Sequence, residues 1–158
     1  MDARTVGTDE QGAVVRRLDS ARTSPRAAEL LARADAELLA AQFSPEAWEQ
    51  FSHAHLAALR AGAAVIASRG RPAGRRALRT VWEILDVVAP ELTSWSGYFA
   101  GAAPLRSAVD AGRFDAVTPA RAEQAVCAAE DFVDAVRALV EAESAAPVTP
   151  RMLAVTAS

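Results

Sequence analysis

From residue 24 to about residue 143 the apolar positions fall three and four apart, interrupted at intervals by Gly and Pro, and this spacing predicts helices joined by short connections. Ser24-Pro25 opens the first, with a Ser able to accept a backbone N–H before a Pro at a position that needs no donor. Leu30, Leu31, Ala34, Leu38 and Ala41 form its apolar face. Ser44-Pro45 and Thr118-Pro119 repeat the device, the former followed by Glu46, whose charge suits the positive end of a helix. The second helix is expected over about 45–68, with Trp48, Phe51, His55, Leu59, Gly62 and Ile66 as its stripe and Gly70, Pro72 and Gly74 ending it. A third, over about 75–88, turns Leu78, Val81, Trp82, Leu85 and Val88 inward and leaves Arg79 and Glu83 as an exposed pair four residues apart.

Pro90 stops that helix and opens a fourth, carrying Leu92, Trp95 and Phe99. The GAAP stretch at 101–104 predicts a break or kink in it, because Pro104 lacks a donor and crowds the preceding turn. Leu105 and Val109 continue the face to Gly112. The last helix, about 119–143, has the most regular stripe, Val126, Ala129, Val133, Val136 and Val140. Short connections between such helices imply an all-α, antiparallel up-and-down bundle of about five helices, occupying residues 24–143 as one domain. Residues 1–23 and 144–158 lack a sustained apolar period and are expected to be flexible tails, gaining order at most near Val14–Leu18 and at Met152-Leu153.

Composition agrees with the pattern: 39 of the 158 residues are Ala, and β-branched runs are scarce. All 17 basic residues are Arg, and beside so much Ala this reads as GC-rich coding bias. Net charge is only −3, so the molecule as a whole is no electrostatic match for nucleic acid or an anionic membrane. No stretch approaches the roughly 18 uncharged apolar residues of a spanning helix, and MDARTVGTDEQG has acids where a leader would have an apolar core. A cytoplasmic protein without membrane contact is the expectation. Cys127 is the only thiol, which excludes an intramolecular disulfide.

Candidate chemistry is sparse. His53 and His55, the only histidines, lie two apart on a helix, so their side chains point about 200° from each other and cannot share a metal ion. No metal site or cofactor is expected. His55 falls on the apolar stripe and reads as a buried neutral imidazole with one hydrogen bond, whereas His53 falls on the flank with Glu49 and Arg60. Glu49, His53, His55 and Arg60 are therefore the candidates for a polar pocket or seam. Cys127 shares its face with Glu123, Glu130 and Asp134, carboxylates that disfavour a thiolate, and is expected to be inert. Neither GxxxxGK[ST] nor a strand followed by GxGxxG is present.

The sharpest asymmetry is RGRPAGRRALR at 69–79. Arg69, Arg71, Arg75, Arg76 and Arg79 give it +5 without an acid, leaving −8 on the rest. Forked guanidinium donors leading into a helix N-terminus suit phosphate, and these five are the candidate contacts to nucleic acid or nucleotide. No aromatic residue lies among them to stack a base.

The segments AHLAALRAGAAV (54–65), VWEILDVVAPEL (81–92), Trp95 with YFAGAA (98–103) and EDFVDAVRALV (130–140) resemble a small actinobacterial group of HEPN-domain proteins over about residues 25–143. The resemblance implies a helical bundle, commonly a homodimer, that serves as ribonuclease, toxin, partner of a nucleotide-handling protein or non-catalytic RNA-binding module. Its ribonucleases carry an Arg followed after four to six residues by His. Here neither Arg60 nor Arg79 is followed by a His, and His55-x4-Arg60 reverses the order, so no catalytic role carries over. The resemblance thus implies a non-catalytic module binding nucleic acid, nucleotide or a nucleotide-handling protein. A protein-interaction or antitoxin-like partner is the second reading, and a ribonuclease with a relocated His53/His55/Arg60 site the third.

Overall fold

The computed structural model describes residues 23–72 and 80–146. Among these, six α-helices form: α1 Pro25–Phe43, α2 Ala47–Arg69, α3 Val81–Val88, α4 Thr93–Gly101, α5 Ala103–Asp110 and α6 Pro119–Ala145. Single 3₁₀ turns at Pro90–Leu92 and Phe114–Ala116 fill the corners. The chain is an all-α bundle. The break expected at 101–104 is the junction of α4 and α5, with Ala102 between them and Pro104 in the first turn of α5, where no donor is missed. Val14–Leu18, Met152-Leu153, Arg75, Arg76 and Arg79 lie outside the described residues.

Helix starts differ from the simple Ser/Thr-Pro reading. Thr118 caps as expected, accepting the Arg121 backbone N–H at 3.1 Å before Pro119. Ser24 precedes Pro25 at the start of α1 but makes no side-chain cap. Ser44 closes α1 instead of opening α2, since its hydroxyl donates back to the Ala40 carbonyl at 2.8 Å, and α2 begins only at Ala47. The third helix starts at Val81, six residues later than its apolar spacing suggests. Thr80 is extended, its hydroxyl accepts the Glu83 N–H, and the Glu83 carboxylate accepts the Thr80 N–H, a reciprocal capping box that fixes the boundary. Glu83 thus serves the helix start; the expected Arg79–Glu83 pair lies outside the described residues, since Arg79 does.

Alanine dominates the packing of α2. Ala54, Ala57, Ala58, Ala61 and Ala64 are completely buried, as are Ala27 and Ala34 of α1 and Ala122 and Ala129 of α6. Single methyl groups let three helix backbones approach closely while still excluding water. Bulk is supplied elsewhere, by a cluster of rings: Trp82 stacks on Phe99 at 5.2 Å, and Phe99 lies 5.6 Å from Phe132. The expected stripe of α2 was thus too narrow, because a central helix between two neighbours needs small residues on several faces.

Polar ties fix the directions. Asp35 meets Arg137 at 2.6 Å, Glu37 meets His53 at 2.7 Å and Thr23 meets Ser144 at 3.0 Å, so α1 runs antiparallel to both α2 and α6. Arg121 lies over Phe51 near the starts of α6 and α2, while Arg69 meets Glu143 near their ends, so these two run parallel. The eight residues of α3 are too few for a full pass of the bundle, and α4 and α5 make the return to the start of α6.

Gly62 is where α3 sits on α2. A Cβ there would lie 2.7 Å from Val81 Cγ1 and 3.0 Å from Leu85 Cδ1, and Val81 is too stiff at χ1 to yield freely. Gly62→Val is expected to lower unfolding free energy by about 1–3 kcal/mol through overpacking. Gly97→Ala, in open space on α4, should leave stability unchanged or raise it by up to about 1 kcal/mol. Urea titrations of the two variants test the contrast.

Candidate functional site

The two histidines are separated as helical geometry requires. His53, on the flank of α2, places Nδ1 2.7 Å from Glu37 of α1 and stays about one third exposed. His55 is buried among rings, with the Phe51, Trp82 and Phe99 centroids each 6.2 Å away. Its Nδ1 is buried without a hydrogen-bond partner, in place of the single bond expected of a core histidine. The four residues Glu49, His53, His55 and Arg60 are not gathered into one pocket: His53 is committed to Glu37, and Arg60 turns about 140° away from His55 around the helix. Arg60 Nε is likewise buried without a partner.

Charged groups that sequence spacing did not single out, Arg106, Asp110 and Arg121, lie near enough to act on the charge of His55, and Tyr98 joins them through Arg121. Arg106 and Asp110 come from α5, Arg121 from the first turn of α6 and Tyr98 from α4. Arg121 Nη1 donates to Tyr98 Oη at 2.8 Å, while its Cζ lies 5.4 Å from the centroids of both Phe51 and Tyr98, sandwiching the cation between aromatic faces. Arg106 Nε stands 3.5 Å from Asp110 Oδ1, one helical turn on, and Arg106 Nη1 is buried without a partner. Burial lowers the His55 pKa from 6.5 to about 4, helped by the positive charges of Arg106 and Arg121 and opposed by Asp110. His55 is therefore neutral at physiological pH. No spacing rule links residues 55, 98, 106 and 121; the only local signal was an Arg three residues after a Thr-Pro helix start.

Arg69 lies at the other end of α2. Its Nε donates to Glu143 at 2.6 Å, Nη1 to the Val88 carbonyl at 2.7 Å and Nη2 to Glu91. Hydrogen bonding to Glu91 is the main reason its pKa rises, and Glu91 in turn is held below its ordinary value by Arg69. This guanidinium fastens the ends of α2, α3 and α6 together. Arg71 next to it is exposed and has no ion-pair partner among the described residues.

Cys127 is exposed and lines an open pocket of about 370 Å³ with Ala41, Gln42, Gln50, Pro119, Glu123 and Val126. Among the described residues no three His, Cys, Asp or Glu side chains are placed to hold a metal ion, and no helix is long and apolar enough to cross a membrane.

The molecule is thus an all-helical domain whose central, alanine-faced helix carries basic groups near both ends. Its sequence matches the model of the SAV_6107-like HEPN family over residues 41–137, from the last three residues of α1 into the second half of α6, and the chain belongs to that family. No curated protein and no solved structure matches it significantly.

Since the His55 imidazole resists protonation down to about pH 4 in the folded state but accepts a proton at about 6.5 once unfolded, its contribution to stability is complete above pH 6.5 and is lost as pH falls toward 4. The loss should approach about 2–3 kcal/mol. Denaturant midpoints measured from pH 7.5 to 4 should fall more steeply for the wild type than for His55→Gln; parallel curves would contradict the assignment.

Proposed function

We propose that the chain is a non-catalytic HEPN-like module that contacts nucleic acid, or the nucleic acid bound by a nucleotide-handling partner, through the arginine run between α2 and α3. The observation that carries this reading is the division of labour within the run. Arg69 is neutralised by Glu91 and Glu143 and anchors the segment, whereas the next ten residues hold four more Arg and no acid. Arg71 is exposed and has no ion-pair partner among the described residues, and the sequence adds Arg75, Arg76 and Arg79 within the next eight positions. Forked donors ahead of a helix start suit phosphate oxygens and carry no base preference.

A non-catalytic role is supported by the same geometry. The family's Arg-then-His order is absent, His55 and Arg60 face different directions, and His55 stays unprotonated across the range in which a histidine exchanges protons usefully. With Arg71, Arg75 and Arg76 replaced by Ala, affinity for single-stranded RNA should fall at least tenfold, and the slope of log K against log salt should become shallower by about 2. Binding and slope both unchanged would refute the contact.

A second reading, a homodimer or an antitoxin-like complex, is favoured by one surface. Leu39 and Phe43, one helical turn apart near the end of α1, are 55% and 81% exposed, beside the Ala41–Cys127 pocket. Large apolar side chains so open to water are typical of surfaces that meet another protein. If that face joins two copies, Leu39→Ser with Phe43→Ser should convert a dimer to monomer in light scattering. A wild type that is monomeric at high concentration would exclude the homodimer.

A further inference from the structure

Around His55, groups from four helices leave positive charge and hydrogen-bond donors unspent. Arg106 and Arg121 both act on His55 as cations, and only Asp110 opposes them. Asp110 touches Arg106 from the surface, with 65% of its side chain in water, so solvent screens much of its charge. Arg121 has no carboxylate partner among the described residues; its contacts are the Tyr98 hydroxyl and two ring faces. Buried donors in folded proteins nearly always find an acceptor. Here Arg106 Nη1 and His55 Nδ1 are both buried without one, and His55 is only 6% exposed.

We propose that the corner formed by α4, α5 and the start of α6 binds a phosphate monoester group, held by the Arg106 and Arg121 guanidinium groups with the Tyr98 hydroxyl and His55 Nδ1 as further donors. Tyr98 Oη accepts from Arg121 and keeps its own proton to give. His55 in its Nδ1–H form gives another, so the neutral imidazole suits the role. A monoester offers three free oxygens and up to two negative charges, matching donors that arrive from separate helices better than a singly charged diester does. Arg121 stands in the first turn of a 27-residue helix, whose positive end adds to the field. Part of Arg106 reaches the surface, 26% of its side chain being exposed, so the group enters from solvent past Asp110. The site does not rest on the arginine run between α2 and α3, which lies toward the opposite end of α2.

The test is titration of the full chain with inorganic phosphate against matched chloride, followed by calorimetry and by the His55 ring signals in NMR. Saturable one-to-one binding is expected, together with a rise of His55's titration midpoint from about 4 by a unit or more, because a nearby dianion favours the imidazolium. Arg106→Gln should weaken binding at least tenfold. Asp110→Asn, a change at an exposed position, should tighten it several-fold and so reports on the site even if Arg106→Gln unfolds the protein. Adenosine monophosphate and short RNAs bearing a 5′-phosphate or a 5′-hydroxyl separate the sources: a nucleotide or an RNA end is assigned by whichever binds more tightly than phosphate itself. The proposal is overturned if phosphate fails to saturate, if Asp110→Asn leaves affinity unchanged, or if replacing Arg71, Arg75 and Arg76 abolishes phosphate binding. Loss of RNA binding in that triple variant with phosphate binding intact leaves both sites standing.

Discussion

The burial of α2 between α1 and α6 is the constraint from which the rest of the structure follows. A helix flanked on two sides has little room for side chains, and five fully buried Ala residues fit it where Leu would hold the neighbours apart. Each Ala contributes little apolar area, so cohesion comes from close backbone approach and from many weak contacts. Larger groups are displaced to the side covered by α3 and α4, where Trp82 and Phe99 pack with Phe132 of α6. His55 is the one polar side chain of α2 that the packing buries, and it lies against this ring cluster.

Charge is distributed differently at the two ends of α2. Near its C-terminus, Arg69 is surrounded by two carboxylates and a carbonyl, and its charge is spent on holding helix ends together. Near its N-terminus, Arg106 and Arg121 meet rings, a hydroxyl and one well-hydrated carboxylate. The first arrangement consolidates the fold, whereas the second pairs its two cations with no buried carboxylate among the described residues. Charge counting along the chain does not separate them, since Arg69 belongs to the most basic run and Arg106 and Arg121 stand singly.

Much of the fold was legible because apolar spacing, Gly-Pro punctuation and the break before Pro104 are local signals. The all-α class, the extent of α6 and the burial of His55 followed from them. Boundaries were less legible where two local signals compete. At Ser44 the hydroxyl satisfies a carbonyl behind it, and at Thr80 a capping box overrides apolar residues upstream that would have extended the helix. Hidden from local spacing was the return path: α3, α4 and α5 together lead from the end of α2 back to the start of α6, which sets those two helices parallel. The surroundings of His55 were equally hidden: they assemble from residues 43 to 66 positions away, which only the return path through α4 and α5 brings together.

The unbroken course of α2 also works as a ruler. From His55 to Arg69 the helix climbs fourteen residues, about 21 Å at 1.5 Å per residue. That distance exceeds the span of a single nucleotide, so if both proposed sites bind, they take separate ligands or one polymer several units long. Because the spacer is a rigid rod packed on two sides, its length is nearly fixed, and any ligand that touches both ends must adapt to the protein.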